Sequence, residues 1–178
     1  MTLNFSKSLE AKKKNTKILI LSAYSPLKKQ KIEENQFEGR LANLKFSLQG
    51  KGFVLTRLVR DWIDETDVPE EQMEVHFRDK SFYYIKNWAD ILIFVFLEDC
   101  NNSSVEREWS YMIDKVFEKC NRSIIIRNEK IDLGCLIRGD IKSERVLEYK
   151  FSNDNELQDF AFNGCFNILY RLHRTQIQ

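Results

Sequence analysis

The 178 residues are 43% apolar, enough for one compact domain with a sizeable core, and the 28 basic and 27 acidic side chains nearly cancel, which argues against a polycation built to hold nucleic acid. The balance hides an asymmetry, since residues 1–60 carry 13 Lys and Arg against 4 Asp and Glu while residues 61–178 carry 15 against 23. Four cysteines without a CxxC spacing and only two histidines, His76 and His173, argue against a zinc site and fit a reduced cytoplasmic protein better than a disulfide scaffold.

Residues 1–16 hold the run Lys12, Lys13, Lys14 and no periodic apolar pattern, so they are expected as a flexible basic lead-in to a single domain over 17–178. The polar start lacks the apolar core of a signal peptide, and the longest apolar stretch, 89–97 interrupted by Asp90, is too short to cross a bilayer. KILILSA (17–23) is a short apolar run followed by turn residues, which predicts a buried strand. Over 27–48 the residues Phe37, Leu41, Leu44 and Leu48 share a helical face, and Gly50 and Gly52 mark its end.

FVLTRLV (53–59) predicts a second strand, and an acidic loop leads to a helix over 71–89 with Tyr84, Ile85 and Trp88 inward. DILIFVFL (90–97) is apolar on both parities, as a central strand covered on both faces should be. Ser103 or Ser104 then caps a helix carrying Val105, Trp109, Met112 and Val116 on one face, and SIIIR (123–127) is the fourth strand. A loop through Gly134 and Gly139 precedes a fifth strand over 145–151. A last helix over 153–173 opens with Asn153 and Glu156 at capping-box spacing and is lined by Leu157, Ala161, Cys165, Ile168 and Leu172.

This alternation predicts an α/β fold: a three-layer, doubly wound, flavodoxin-like sheet of five parallel strands in the order 2-1-3-4-5. In such sheets ligands bind beyond the carboxyl ends of the strands where the order reverses, here between the first and third. That points to Ser22, Tyr24 and Ser25 after the first strand and to residues 99–108, Ser104 among them, after the third. Neither GxGxxG nor GxxxxGK[ST] occurs in the expected places, so no cofactor of those classes is expected.

On a helical wheel centred on Val105, Trp109, Met112 and Val116 fall within about 40 degrees, Glu108 about 60 degrees to one side and Glu106 about 100 degrees to the other. Glu108 therefore borders the buried face and Glu106 is its rival. Both acids also complement the helix dipole, which accounts for them without a ligand.

The sequence DILIFVFL, a polar loop and then Val105-x-x-Glu108-Trp109-x-x-Met112 resembles nucleoside 2-deoxyribosyltransferase-like proteins, and it also looks like the corresponding stretch of TIR-type domains. Ser25-Pro26-Leu27 resembles the small-Pro-apolar turn of the deoxyribosyltransferases. Where that family usually has Gly-Thr before the glutamate and Gly two residues after it, this chain has Ser104-Val105 and Ser110. Both families act on an N-glycosidic bond through a glutamate opening this helix, so the resemblance implies that role for Glu108.

The activity implied by the resemblance is cleavage or transfer of an N-glycosidic bond in a nucleoside, nucleotide or NAD. Glu108 would attack the anomeric carbon or stabilise its oxocarbenium-like transition state, and Asp99, on the loop directly after the third strand, is the candidate to protonate the departing base, with capping of its own turn as the alternative. Asn101 and Asn102 are candidates to bond sugar hydroxyls, Tyr24 to close over the base, Trp62 to stack on it and Arg60 to pair with a phosphate. Turn formation, packing and a surface pair of Arg60 with Asp61 or Asp64 account for the same residues without a ligand. The resemblance also suggests a homodimer. A different class of function, a nucleotide-binding sensor or interaction module with this fold and no chemistry, stays open.

Overall fold

The computed structural model describes residues 2–23, 34–63, 68–98, 100–144 and 146–175. Five strands, β1 Lys17–Ser22, β2 Leu55–Leu58, β3 Ile91–Phe96, β4 Ser123–Asn128 and β5 Leu147–Phe151, form one sheet in the order β2-β1-β3-β4-β5. Every pairing is parallel, and the register sets Ile18 beside Ile91 and Ser22 beside Val95. The order and fold class expected from the alternation are those observed. The helices are α1 Thr2–Asn15, α2 Glu34–Gly50, α3 Glu70–Asn87, α4 Ser103–Lys115, α5 Cys135–Glu144 and α6 Asp154–Thr175, with short 3-10 turns at Val59–Trp62 and Phe117–Arg122.

Successive side chains along a strand face opposite ways, and this parity divides the core in two. Ile18, Ile20, Ile93, Val95, Ile124 and Ile126 pack with Leu9 of α1, Leu44 and Leu48 of α2, and Leu157, Ala161, Cys165 and Ile168 of α6. Leu19, Leu21, Leu92, Phe94 and Ile125 pack with Ile85 of α3, Val105, Trp109 and Met112 of α4, and Ile137 of α5. Every residue of β3 and of β4 is buried, which is why β3 reads as an unbroken apolar run and β4 carries three isoleucines in a row at its centre. Each such apolar side chain contributes about 1.5–3 kcal/mol through removal from water.

Two elements depart from the expectation. The segment expected as a basic lead-in is α1, because Leu9 inserts into the core and the Lys13 ammonium lies 5.8 and 5.7 Å from the ring centroids of Phe53 and Phe162. Lys13 also bonds Glu10 at 3.1 Å, and its stem lies against Gly52, whose φ of 101° suits the residue after a helix end that only glycine adopts freely. The stretch expected as a glycine loop contains α5. Packing of Ile137 and partly buried Ile141 outweighs the modest helix penalty of Gly139, and Asp140 accepts a hydrogen bond from the Trp109 indole at 3.0 Å. The expected start of α2 near residue 27 lies outside the described residues. Among the described residues no helix is long and apolar enough to cross a membrane.

Candidate functional site

Where the strand order reverses, β1 and β3 end side by side and their chains leave on opposite faces of the sheet. A cavity of about 440 Å³ opens there. Ser22 and Ala23 at the end of β1 and Leu97, Cys100 and Asn101 after β3 line it together with α2, α3, α4 and the turn Val59–Trp62. It is the location the sheet order predicted.

Helix α4 carries the carboxylate. Val105, Trp109 and Met112 are buried against the sheet, with the Trp109 ring edge-on to Phe94 at 5.1 Å, and this anchoring turns Glu108 onto the cavity wall. Glu108 is 9% exposed, while Glu106, the acid of the first turn, is exposed and off the wall. Glu108 stands one turn further into the helix than a strictly helix-opening position. Its Oε2 is buried without a hydrogen-bond partner. Burial pushes its carboxyl up from 4.5 to about 8, against smaller opposing pulls from the Ser81 hydroxyl and the Arg107 charge. At neutral pH it is therefore mostly protonated.

The loop between β3 and α4 is held by Asn102. Its Oδ1 accepts from the Leu97 amide at 3.2 Å and its Nδ2 donates to the Leu97 carbonyl at 3.0 Å, so its amide is taken up by the turn and not offered to a sugar. Asn101 accepts from the Ser103 amide at 3.0 Å and still lines the cavity. Ser22 donates to the Val95 carbonyl at 2.9 Å across the strand pair and lines the cavity. Ser104 and Arg60 also lie on the wall.

Trp62 does not. Its ring stacks on Tyr84 with centroids 3.8 Å apart and meets Trp88 edge-on at 4.8 Å, so it fastens the turn after β2 to α3. An aromatic at a strand end satisfies its large apolar face against whichever ring lies nearest, and here that ring belongs to the protein. Tyr24, Ser25 and Asp99 lie outside the described residues.

Helix α3 supplies what sequence reasoning missed: Phe77, Arg78, Ser81 and Phe82, with Glu74 above them, form one side of the cavity. Phe82 stacks on Tyr111 of α4 at 4.0 Å and only 3° from parallel, fixing α3 to α4 beside Glu108. Ser81 was detectable, since it is a polar residue in the apolar stripe of Phe77 and Ile85. Arg107 of α4 reaches Glu74 at 3.4 Å, and Lys45 of α2 pairs with Asp61 at 2.8 Å on the far wall. The site thus joins a buried carboxyl to three guanidinium groups, Arg60, Arg78 and Arg107, of the kind that grips phosphate in a planar fork.

No protein-family model and no curated protein matches the chain. Among solved structures, the CMP N-glycosidase BcmB of Clostridium botulinum is similar, with a TM-score of 0.53 and 17% identity over 80% of this chain and 95% of that one. At that identity the likeness shows the fold. Nothing in it singles out the deoxyribosyltransferases or the TIR-type domains.

Proposed function

We propose that this chain cleaves or transfers the N-glycosidic bond of a nucleotide, with Glu108 as the residue that meets the anomeric carbon. The observation that carries the reading is the buried Glu108 carboxyl, its Oε2 without a protein partner, on the wall of a cavity at the switch point. A carboxyl kept out of water and left unsatisfied by its own fold is disfavoured unless a ligand supplies the missing interaction. The three arginines favour a phosphorylated substrate over a free nucleoside, and the fold shared with a CMP N-glycosidase agrees with that class.

In this mechanism the ionised Glu108 attacks the anomeric carbon or stabilises its developing positive charge, as a carboxylate does in glycoside hydrolysis. The glycosidic bond breaks with its electron pair leaving on the base, and Asp99 is the proposed donor of a proton to that base. Water, or a second base, then takes the sugar from Glu108. Ser22, Asn101 and Ser104 are the proposed contacts to the sugar, and Tyr24 and Ser25 complete the proposed site beyond the end of β1.

A second reading, a nucleotide-binding module without chemistry, is favoured by the protonated state of Glu108 at neutral pH, in which it donates a hydrogen bond instead of attacking. One experiment separates the two. The full chain and Glu108→Gln are incubated with CMP, other nucleoside monophosphates, deoxynucleosides and NAD, and free base is followed by chromatography. Catalysis gives base release from a phosphorylated member that falls by about 10²–10⁴-fold in the variant. Retention of a nucleotide without base release at any pH supports the binding module.

A further inference from the structure

The guanidinium groups on the cavity wall are held in different ways. Arg78 of α3 bonds its own neighbour Asp79 at 2.9 and 3.0 Å, and Asp79 does not line the cavity. Arg107 instead reaches from α4 to the carboxylate of Glu74 on α3 at 3.4 Å, and both partners line the cavity. The stack of Phe82 on Tyr111 joins the same two helices. The other ion pair on the wall is built differently. Asp61 accepts from the Lys45 ammonium at 2.8 Å and from the Leu58 amide at 3.0 Å, and both side chains of that pair are mostly buried, so this acid is part of its turn. The bond that holds Glu74 is long, and the side chains of Glu74 and Arg107 are 79% and 50% exposed. Such a pair separates at little cost.

We propose that Arg107 takes the phosphate of a nucleotide and that Glu74 is the built-in stand-in for that group: its carboxylate holds the guanidinium from α3 until a phosphate displaces it. A carboxylate and a phosphate offer the same pair of acceptor oxygens to a guanidinium fork, so Glu74 marks where an anionic group meets Arg107. Arg107 stands one residue before Glu108, which places the phosphate beside the proposed working carboxyl. The inference rests on the reading of the cavity as a nucleotide site and names the residue that selects for phosphate. A phosphate dianion carries more charge than the carboxylate and displaces it, whereas an uncharged nucleoside leaves the pair closed.

The test is a double-mutant cycle on the full chain, with affinities for CMP, UMP, AMP and GMP and for their nucleosides measured by calorimetry. Glu74→Gln frees the guanidinium and raises affinity for the monophosphate that binds by about fivefold, with the nucleoside unchanged within about twofold. Arg107→Gln lowers the monophosphate affinity by about tenfold. The double variant matches Arg107→Gln within about twofold, because Glu74 then has no guanidinium to occupy. The same fivefold gain from Glu74→Gln in the Arg107→Gln background would mean repulsion acting at a distance, and it overturns the proposal. So does a Glu74→Gln variant without gain, an equal gain for the nucleoside, or no binding of any monophosphate. Both side chains are exposed, so the variants fold, which a thermal melt verifies. Base release is read separately. This affinity pattern without base release keeps the assignment of Arg107 and removes the catalysis, and base release with affinities blind to Glu74 does the reverse.

Discussion

The guanidinium of Arg107 meets the carboxylate of Glu74 at 3.4 Å, tying α4 to α3 one residue before Glu108. Both partners are at least half exposed, so the pair is worth little to the fold, and Arg107→Gln is expected to change stability by no more than about 0.5 kcal/mol. Its effect falls on the site. Loss of that cation raises the Glu108 midpoint further and weakens nucleotide binding by about tenfold or more through the lost charge-assisted contact. Urea denaturation and calorimetric titration with CMP, run on the same variant, measure the two effects separately.

Glu108 also makes stability depend on pH with a definite sign. Its folded-state midpoint is raised from 4.5 to about 8, so the folded protein retains a proton that the unfolded chain has lost over that window. Its contribution is fully present below the unfolded midpoint and disappears as pH rises through about 8. Glu108→Gln removes this dependence. Its stability relative to wild type, from urea midpoints measured on both sides of neutrality, is expected to grow with pH, by on the order of a few kcal/mol in all. Catalysis by the carboxylate has the opposite slope, kcat/KM rising toward alkaline pH as Glu108 ionises.

Trp62 is expected to act on the fold and not on the ligand. Trp62→Ala removes the stack on Tyr84 and the edge contact to Trp88 and should cost about 1–3 kcal/mol in a denaturant melt. Affinity for CMP should stay within about twofold of wild type, well inside the tenfold that a lost contact of about 1.4 kcal/mol would produce. A larger loss of affinity at unchanged stability would return Trp62 to the ligand site.

Leu9 tests whether the amino-terminal helix belongs to the domain. It is buried among residues of α2, α6 and the sheet, so Leu9→Ala should destabilise the whole protein by about 2–3 kcal/mol. A lead-in detached from the domain would show no change, and thermal unfolding by circular dichroism distinguishes the two.

The sequence of this protein carries its layer plan openly. Ile91 to Phe96 are apolar on both parities and β3 is covered on both faces; Leu44 and Leu48, then Leu157, Ala161, Cys165 and Ile168, recur at helical spacing and pack where that spacing points. The same local periodicity put Glu108 beside the buried face of α4 and Glu106 away from it. These features are legible because each depends on neighbours within a few positions along the chain, and alternating strands and helices admit few ways of assembly.

The rest depended on partners distant in sequence. Whether Lys12, Lys13 and Lys14 ended a free tail or a docked helix was decided by Phe53 and Phe162, whose rings receive the stem and charge of Lys13. Trp62 was turned from a ligand to Tyr84 by a contact twenty-two positions away, and α5 formed through Gly139 because Ile137 had a core to enter. The carboxyl of Glu108 was set by the sequence on the right side of its helix. That it is buried, with its carboxyl pushed up by that burial, and shares a cavity with Ser81, Arg78 and Arg60 was decided only when separate segments met over the ends of β1 and β3, because burial and electrostatic potential are properties of the surroundings in space and not of position along the chain.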